Sequence, residues 1–262
     1  MVFKKLLKAM GVGGPSVETV LHNPNTTPGG TISGDVHLMG GEHDSDIRYV
    51  SVALRTRVEV ESGDSEYNTN MEYAKVQLTG PFQLRKGARH SLPFTLQIPW
   101  EAPLTHMYGQ PLHGTTVGVA TELEVARAVD ATDLDPIAVH PLPAQERILA
   151  AFANLGFRFR SADCERGYIR GIRQELPFYQ EIEFYPPPQY ASGINELEVT
   201  FVASPHSMEV VLELDKRGGL FTEGHDSLTH FTVDYASVHT TNWEHELQQF
   251  LNQAARRRGL FF

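Results

Sequence analysis

The sequence has a single cysteine, Cys164, in 262 residues. That excludes an intramolecular disulfide and any zinc site built on several thiolates, and it suits a reducing compartment. No apolar run approaches the roughly 20 residues that a spanning helix needs. Residues 1–10 lack the uninterrupted apolar region of a secretory signal, and Val2 stands where myristoylation would need glycine. Positive charge is scarce too: 22 Lys and Arg face 32 Asp and Glu, a net charge of −10. Such a surface repels phosphate backbones, so nucleic-acid binding is not expected. These absences point to a cytoplasmic protein.

Catalytic signatures are also missing. There is no Gly-x-Ser-x-Gly elbow, no His-Glu-x-x-His and no EF-hand loop. Gly11-Val12-Gly13-Gly14-Pro15-Ser16 imitates a phosphate loop, but it follows a helical pattern, precedes a strand pattern and carries no lysine after the glycines. Gly224-His225-Asp226-Ser227 holds the residue types of a hydrolase triad, yet chain neighbours point apart, and a turn with a local Asp hydrogen bond is the reading adopted. His206, His225, His230 and His239 crowd one region with Asp215, Asp226 and Asp234. No pair has the spacing that sets two rings on one side of a helix, although His230 and Asp234 could share a strand face. Asp163 and Glu165 flank Cys164 and would raise its pKa. The expectation is a protein that is not an enzyme, with no catalytic, cofactor-binding or metal-binding residues.

What is present is period-two alternation. Val17 to Leu21 reads as a strand, Asn23 to Gly30 as a turn, and Ile32, Gly34, Val36 and Leu38 as an inward row. Val50, Val52, Leu54, Thr56, Val58 and Val60 alternate with Arg55, Arg57, Glu59 and Glu61, which predicts an antiparallel strand with one wet face. Tyr67 to Tyr73 continues the pattern before the buried set moves to Ala74, Val76 and Leu78, predicting a bulge near Tyr73. Leu92, Phe94, Leu96 and Ile98 form a row in which Pro93 argues for a sheet edge. Beyond residue 156, strands are predicted at Phe157–Phe159, Ile182–Phe184, Leu197–Phe201, Met208–Leu214 and Phe231–Tyr235.

Three stretches carry a helical period. Phe3, Leu6, Leu7 and Met10 share one face of a short N-terminal helix, with Lys4, Lys5 and Lys8 on the other. That face can dock on its own body, a sister subunit, a partner or an anionic membrane surface, the last giving only weak attachment. At mid-chain, Val117 to Val125 and Pro136 to His140 read as strands; Pro141 and Pro143 then stop pairing, and Ile148, Leu149 and Phe152 show helical spacing up to Gly156. His140, Pro141, Leu142 and Pro143 are the candidate interdomain joint. Near the end, Trp243, Leu247, Phe250, Leu251 and Ala254 fall on one face, with Thr241 and Glu244 as a capping box and Arg256 to Arg258 in the last turn.

The predicted segments are therefore an N-terminal amphipathic helix and linker at 1–14, a β-domain at 15–140, a second at 141–240 with a linker helix at 143–155, and a C-terminal helix and tail at 241–262.

Particular motifs carry a resemblance. Pro28-Gly29-Gly30-Thr31-Ile32-Ser33-Gly34-Asp35-Val36 looks like the start of an arrestin-type sandwich, and Leu92-Pro93-Phe94-Thr95-Leu96-Gln97-Ile98-Pro99 is similar to a later strand of that fold. With Val139-His140-Pro141-Leu142-Pro143-Ala144-Gln145, Leu176-Pro177-Phe178-Tyr179-Gln180-Glu181-Ile182 and Leu214-Asp215-Lys216-Arg217-Gly218-Gly219, the chain resembles the bacterial stage-zero sporulation-control (SpoOM) family of arrestin-like proteins. The resemblance implies a mainly β fold of two tandem antiparallel β-sandwiches, no known catalytic activity and a regulatory role. The expected partner is another protein, reached through a sheet edge or an interdomain groove, and a homodimer is open. The rival readings are a small-molecule or metal-sensing module around His206, His225 and His230, and a peripheral membrane sensor using the first helix.

Overall fold

A computed structural model describes residues 13–62, 65–191, 194–216 and 229–256. The predicted docking face of Phe3, Lys4, Lys5, Leu6, Leu7, Lys8 and Met10 lies outside the described residues, as do His225 and Asp226. The fold is mainly β. In chain order the strands are β1 (Ser16–Leu21), β2 (Asn25–Thr26), β3 (Thr31–Met39), β4 (Ser45–Ser62), β5 (Ser65–Thr79), β6 (Phe82–Leu84), β7 (Arg89–Gln97), β8 (His106–Met107), β9 (Gln110–Pro111), β10 (Val117–Val125) and β11 (Ala131–Val139). Helix α1 (Pro143–Asn154) follows, then β12 (Arg158–Arg166), β13 (Phe178–Tyr185), β14 (Ile194–Ala203), β15 (Ser207–Lys216), β16 (Thr229–Asp234) and helix α2 (Trp243–Arg256).

The chain forms two compact units. Among the described residues, one comprises 13–57, 70–99 and 116–139; the other comprises 58–62, 65–69, 100–115, 140–191, 194–216 and 229–256. The first contains a three-stranded sheet in the order β1-β3-β7. It also contains an antiparallel ladder in which β10 lies between β4 and β11, while β2 adds to β11 in parallel. The inward rows named from the sequence are buried: Ile32, Val36 and Leu38 on β3, and Val50, Val52, Leu54 and Thr56 on β4. The Thr19 and Thr121 hydroxyls meet at 2.6 Å, tying β1 to β10.

Several expectations need correction here. Arg57 is exposed and Arg55 and Glu59 are half-buried on the second face of β4, but nearer its start Ser51 and Ala53 on that face are buried, as is Ala120 opposite Ala53 in β10. Small side chains allow that double burial. Ala74 takes a left-handed φ of 51°, the irregularity predicted near Tyr73, but Val76 beyond it is 40% exposed and the set Ala74, Val76, Leu78 is not buried. The second mid-chain strand begins at Ala131, well before Pro136. The predicted turn 23–30 contains the short strand β2. Pro93 does lie on an edge strand, β7.

The second unit is built on the antiparallel strands β12 to β16, with β12 also paired in parallel to β4 at Glu165 and Glu59. One face of this sheet is the core. Ala162, Cys164, Ile182, Phe184, Leu197, Val199, Val210, Leu212 and Val233 are all buried. Both helices supply aromatics to it: Phe152 stacks on Phe184 at 5.7 Å, and Trp243 and Phe250 flank Phe231 at 5.9 and 4.6 Å. Helix α1 begins with Pro143, whose missing N–H is no loss at a first helical position. It ends in a Schellman turn, with Gly156 N–H donating to Ala153 O and Phe157 N–H to Phe152 O, both at 3.0 Å. Gly156 holds a φ of 91° there, which favours glycine. The cap of α2 differs from the predicted Thr241–Glu244 box: Asn242 Oδ1 accepts the His245 N–H at 3.1 Å, and the Thr241 hydroxyl donates to Ser237 O instead.

Candidate functional site

Alternation sends one set of β12–β15 side chains into the core, so the other set must stand on the outer face. In this sequence that set is acidic. The register places Asp163 opposite Glu181, and Glu183 and Glu213 opposite Glu198. Glu165, Glu196 and Glu209 occupy the same face. Arg160 pairs with both Glu183 and Glu196, while His230 and Thr232 reach Glu209 at 3.3 and 2.6 Å.

Two groups converge most tightly. Carboxylate oxygens of Asp163, Glu165 and Glu181 lie within 4.8 Å of one another, and so do those of Glu181, Glu198 and Glu213. An all-oxygen donor set of this kind suits a hard cation such as Ca2+ rather than a thiolate- or imidazole-seeking metal. A shared proton is the other way to relieve the repulsion. Burial, then the charges of Glu198, Asp163, Glu165 and Glu213, push the Glu181 carboxyl up to about 9. The same burial, with Glu181 the largest nearby charge, raises the Tyr179 hydroxyl.

A loop crosses this face. Between β12 and β13, Ile169 packs with Val202 and Val211 of the sheet, and Ile172 and Tyr179 join them. One side chain knots the loop: Gln174 Nε2 donates to the carbonyls of Gly167, Leu176 and Phe178, and its Oε1 accepts the Ile169 N–H. Glu101 adds a second anchor by accepting the N–H groups of Glu175 and Leu176 at 2.8–2.9 Å. Under the loop lies a cleft of about 240 Å3 lined by Tyr168, Arg170, Tyr179, Glu181, Glu198 and Glu213, among others.

The residues singled out from sequence fall elsewhere. The His140 ring lies against that of His106, tilted with ring centroids 4.7 Å apart, Pro141 is buried, and Leu142 donates its N–H to Gln145 Oε1 at the start of α1, where Pro143 is exposed. The chain crosses between the two units several times, and Val139 to His140 is one of those crossings. His230 pairs with Glu209 rather than Asp234, whose carboxylate accepts the Ala236 N–H. Among the described residues, no histidine belongs to a group close enough to share a metal. Cys164 is buried in the core. The acidic face was missed by sequence reasoning, though the alternating pairs Glu181/Glu183 and Glu196/Glu198 announced its strands.

Known proteins share this architecture. The model of the SpoOM protein family matches residues 3–218. The sporulation-control protein Spo0M of Bacillus subtilis is 35% identical over 216 residues, covering 82% of this chain and 81% of that protein. The crystal structure of Spo0M from Bacillus subtilis superposes with a TM-score of 0.79 at 30% identity, covering 92% of this chain and 99% of that one. Agreement of sequence and backbone over so much of both chains leads to one conclusion: the chain belongs to the SpoOM protein family.

Proposed function

We propose that this chain is a cytoplasmic, non-catalytic regulator of the sporulation-control type that acts by binding another protein. Its two units are read as tandem arrestin-like sandwiches, and the loop-crossed outer face of β12–β15 is read as the surface the partner meets. The observation that carries the regulatory reading is similarity to a sporulation-control protein over about four-fifths of both chains. The acidic face supports the binding reading, because charge of one sign on an ordered sheet steers a basic segment and rejects acidic ones.

Expression in a Bacillus subtilis strain lacking its sporulation-control relative provides the test. The chain is expected to restore normal spore yield, and a double Glu198→Gln, Glu213→Gln variant to restore less while folding and accumulating equally. Failure of the intact, folded chain to restore any function would sink the regulatory reading. Full restoration by the double variant would remove the acidic face from it.

A further inference from the structure

We propose that His106 and His140 form a proton-operated latch that holds the hairpin of residues 104–112 onto the segment entering α1. A pair of two-residue strands is too small to persist alone and needs external ties. Its turn is Tyr108-Gly109, with φ values of 52° and 73°, which sets the hairpin direction but fixes it to nothing. The ties are few. Gln180 bonds both the N–H and the carbonyl of Leu104 at 2.9 and 2.8 Å, Tyr108 donates its hydroxyl to Leu149 O of α1 at 2.7 Å, and the His106 ring lies against that of His140, tilted by 42° with centroids 4.7 Å apart.

Of these side-chain types, histidine alone ordinarily changes charge between pH 5 and 8. The Tyr108 hydroxyl is pushed up to about 12 by burial and stays neutral throughout. Two neutral imidazoles at this distance attract, whereas two imidazolium rings repel. Burial and then the His140 charge hold the His106 pKa below the ordinary histidine value. Arg147 of α1 acts on Glu244 of α2, and His113 and Glu146 are exposed. Thr105 Oγ1, 3.0 Å from His106 Nδ1, fixes the ring without adding charge.

The sign follows from the depressed folded pKa. The latch contributes fully above the unfolded histidine pKa of about 6.5 and is lost as pH falls through the lower folded value. Opening would uncover Met107 and Leu112, which are 4% and 7% exposed when the hairpin is docked. Mild acid would then present an apolar patch.

Hydrogen exchange on the intact chain at pH 7.5 and 5.5, corrected for intrinsic rates, tests this together with ring-proton titration. Peptides covering 104–112 are expected to lose protection as pH falls below the open-state histidine pKa of about 6.5, by up to about tenfold per pH unit until the lower latched-state midpoint is passed, while peptides from β3 do not. His140→Gln should raise the His106 midpoint and abolish the acid-specific loss. Unchanged protection at 104–112 after both rings have titrated would overturn the proposal, as would a loss that persists undiminished in His140→Gln. Should that variant not fold, His106→Gln gives the same comparison, and the wild-type profile decides by itself.

Discussion

Glu181 is the residue whose chemistry departs furthest from an ordinary surface carboxylate. Its pKa is raised to about 9 in the folded chain, so the folded state keeps a proton that the unfolded state has released. The resulting penalty is absent below the unfolded pKa and grows as pH rises toward the folded one. Glu181→Gln, which imitates the protonated form, is therefore expected to stabilise the protein at pH 8 by an amount of order 2 kcal/mol and to have little effect at pH 5. Thermal melts at the two pH values check this, and equal effects at both would contradict the burial argument. Gln174 predicts the opposite sign. Gln174→Ala leaves carbonyls of the loop without their donor and should cost about 1–3 kcal/mol. Limited trypsin digestion should then cut faster after Arg170 and Arg173, both exposed in that loop.

Elements end and turn where single residues allow it. A Cβ on Gly114, which has a φ of 99°, would sit 1.8 Å from the Ala162 carbonyl oxygen, so nothing larger fits between those segments. Gly114→Ala is expected to destabilise by more than 3 kcal/mol or prevent folding, at the severe end of single substitutions. Gly156→Ala, opposed by a positive φ and a Pro187 carbon at 3.2 Å, should cost about 1 kcal/mol. Denaturant titration of the two variants gives the order. At this scale the sequence was most informative. The rows from Val50 to Val60, Leu92 to Ile98 and Met208 to Leu214 were legible because hydrophobic alternation is local. So was the stop of α1 at Gly156. The acidic site was not, because which carboxylates meet depends on register: Glu198 faces Glu213 only once β14 and β15 are paired. Single-residue cap shifts, as from Thr241 to Asn242, were beyond periodicity, since either residue type can accept the amide three places on.

For the whole molecule the net charge of −10 sets the balance. Like charges on one sheet face repel less when screened, so raising salt from about 20 to 300 mM should raise the melting temperature at pH 8, where Debye screening shortens markedly. A flat or falling response would mean that Arg160 and the loop already offset the repulsion. The Thr19 N–H of strand β1 is taken by Asp133 Oδ2 at 2.8 Å, and on the opposite edge β7 carries Pro93, which has no N–H to offer. Each outer strand of that small sheet thus meets an incoming backbone with a missing or occupied donor. An extended segment approaching either edge would find no free backbone donor at these two positions.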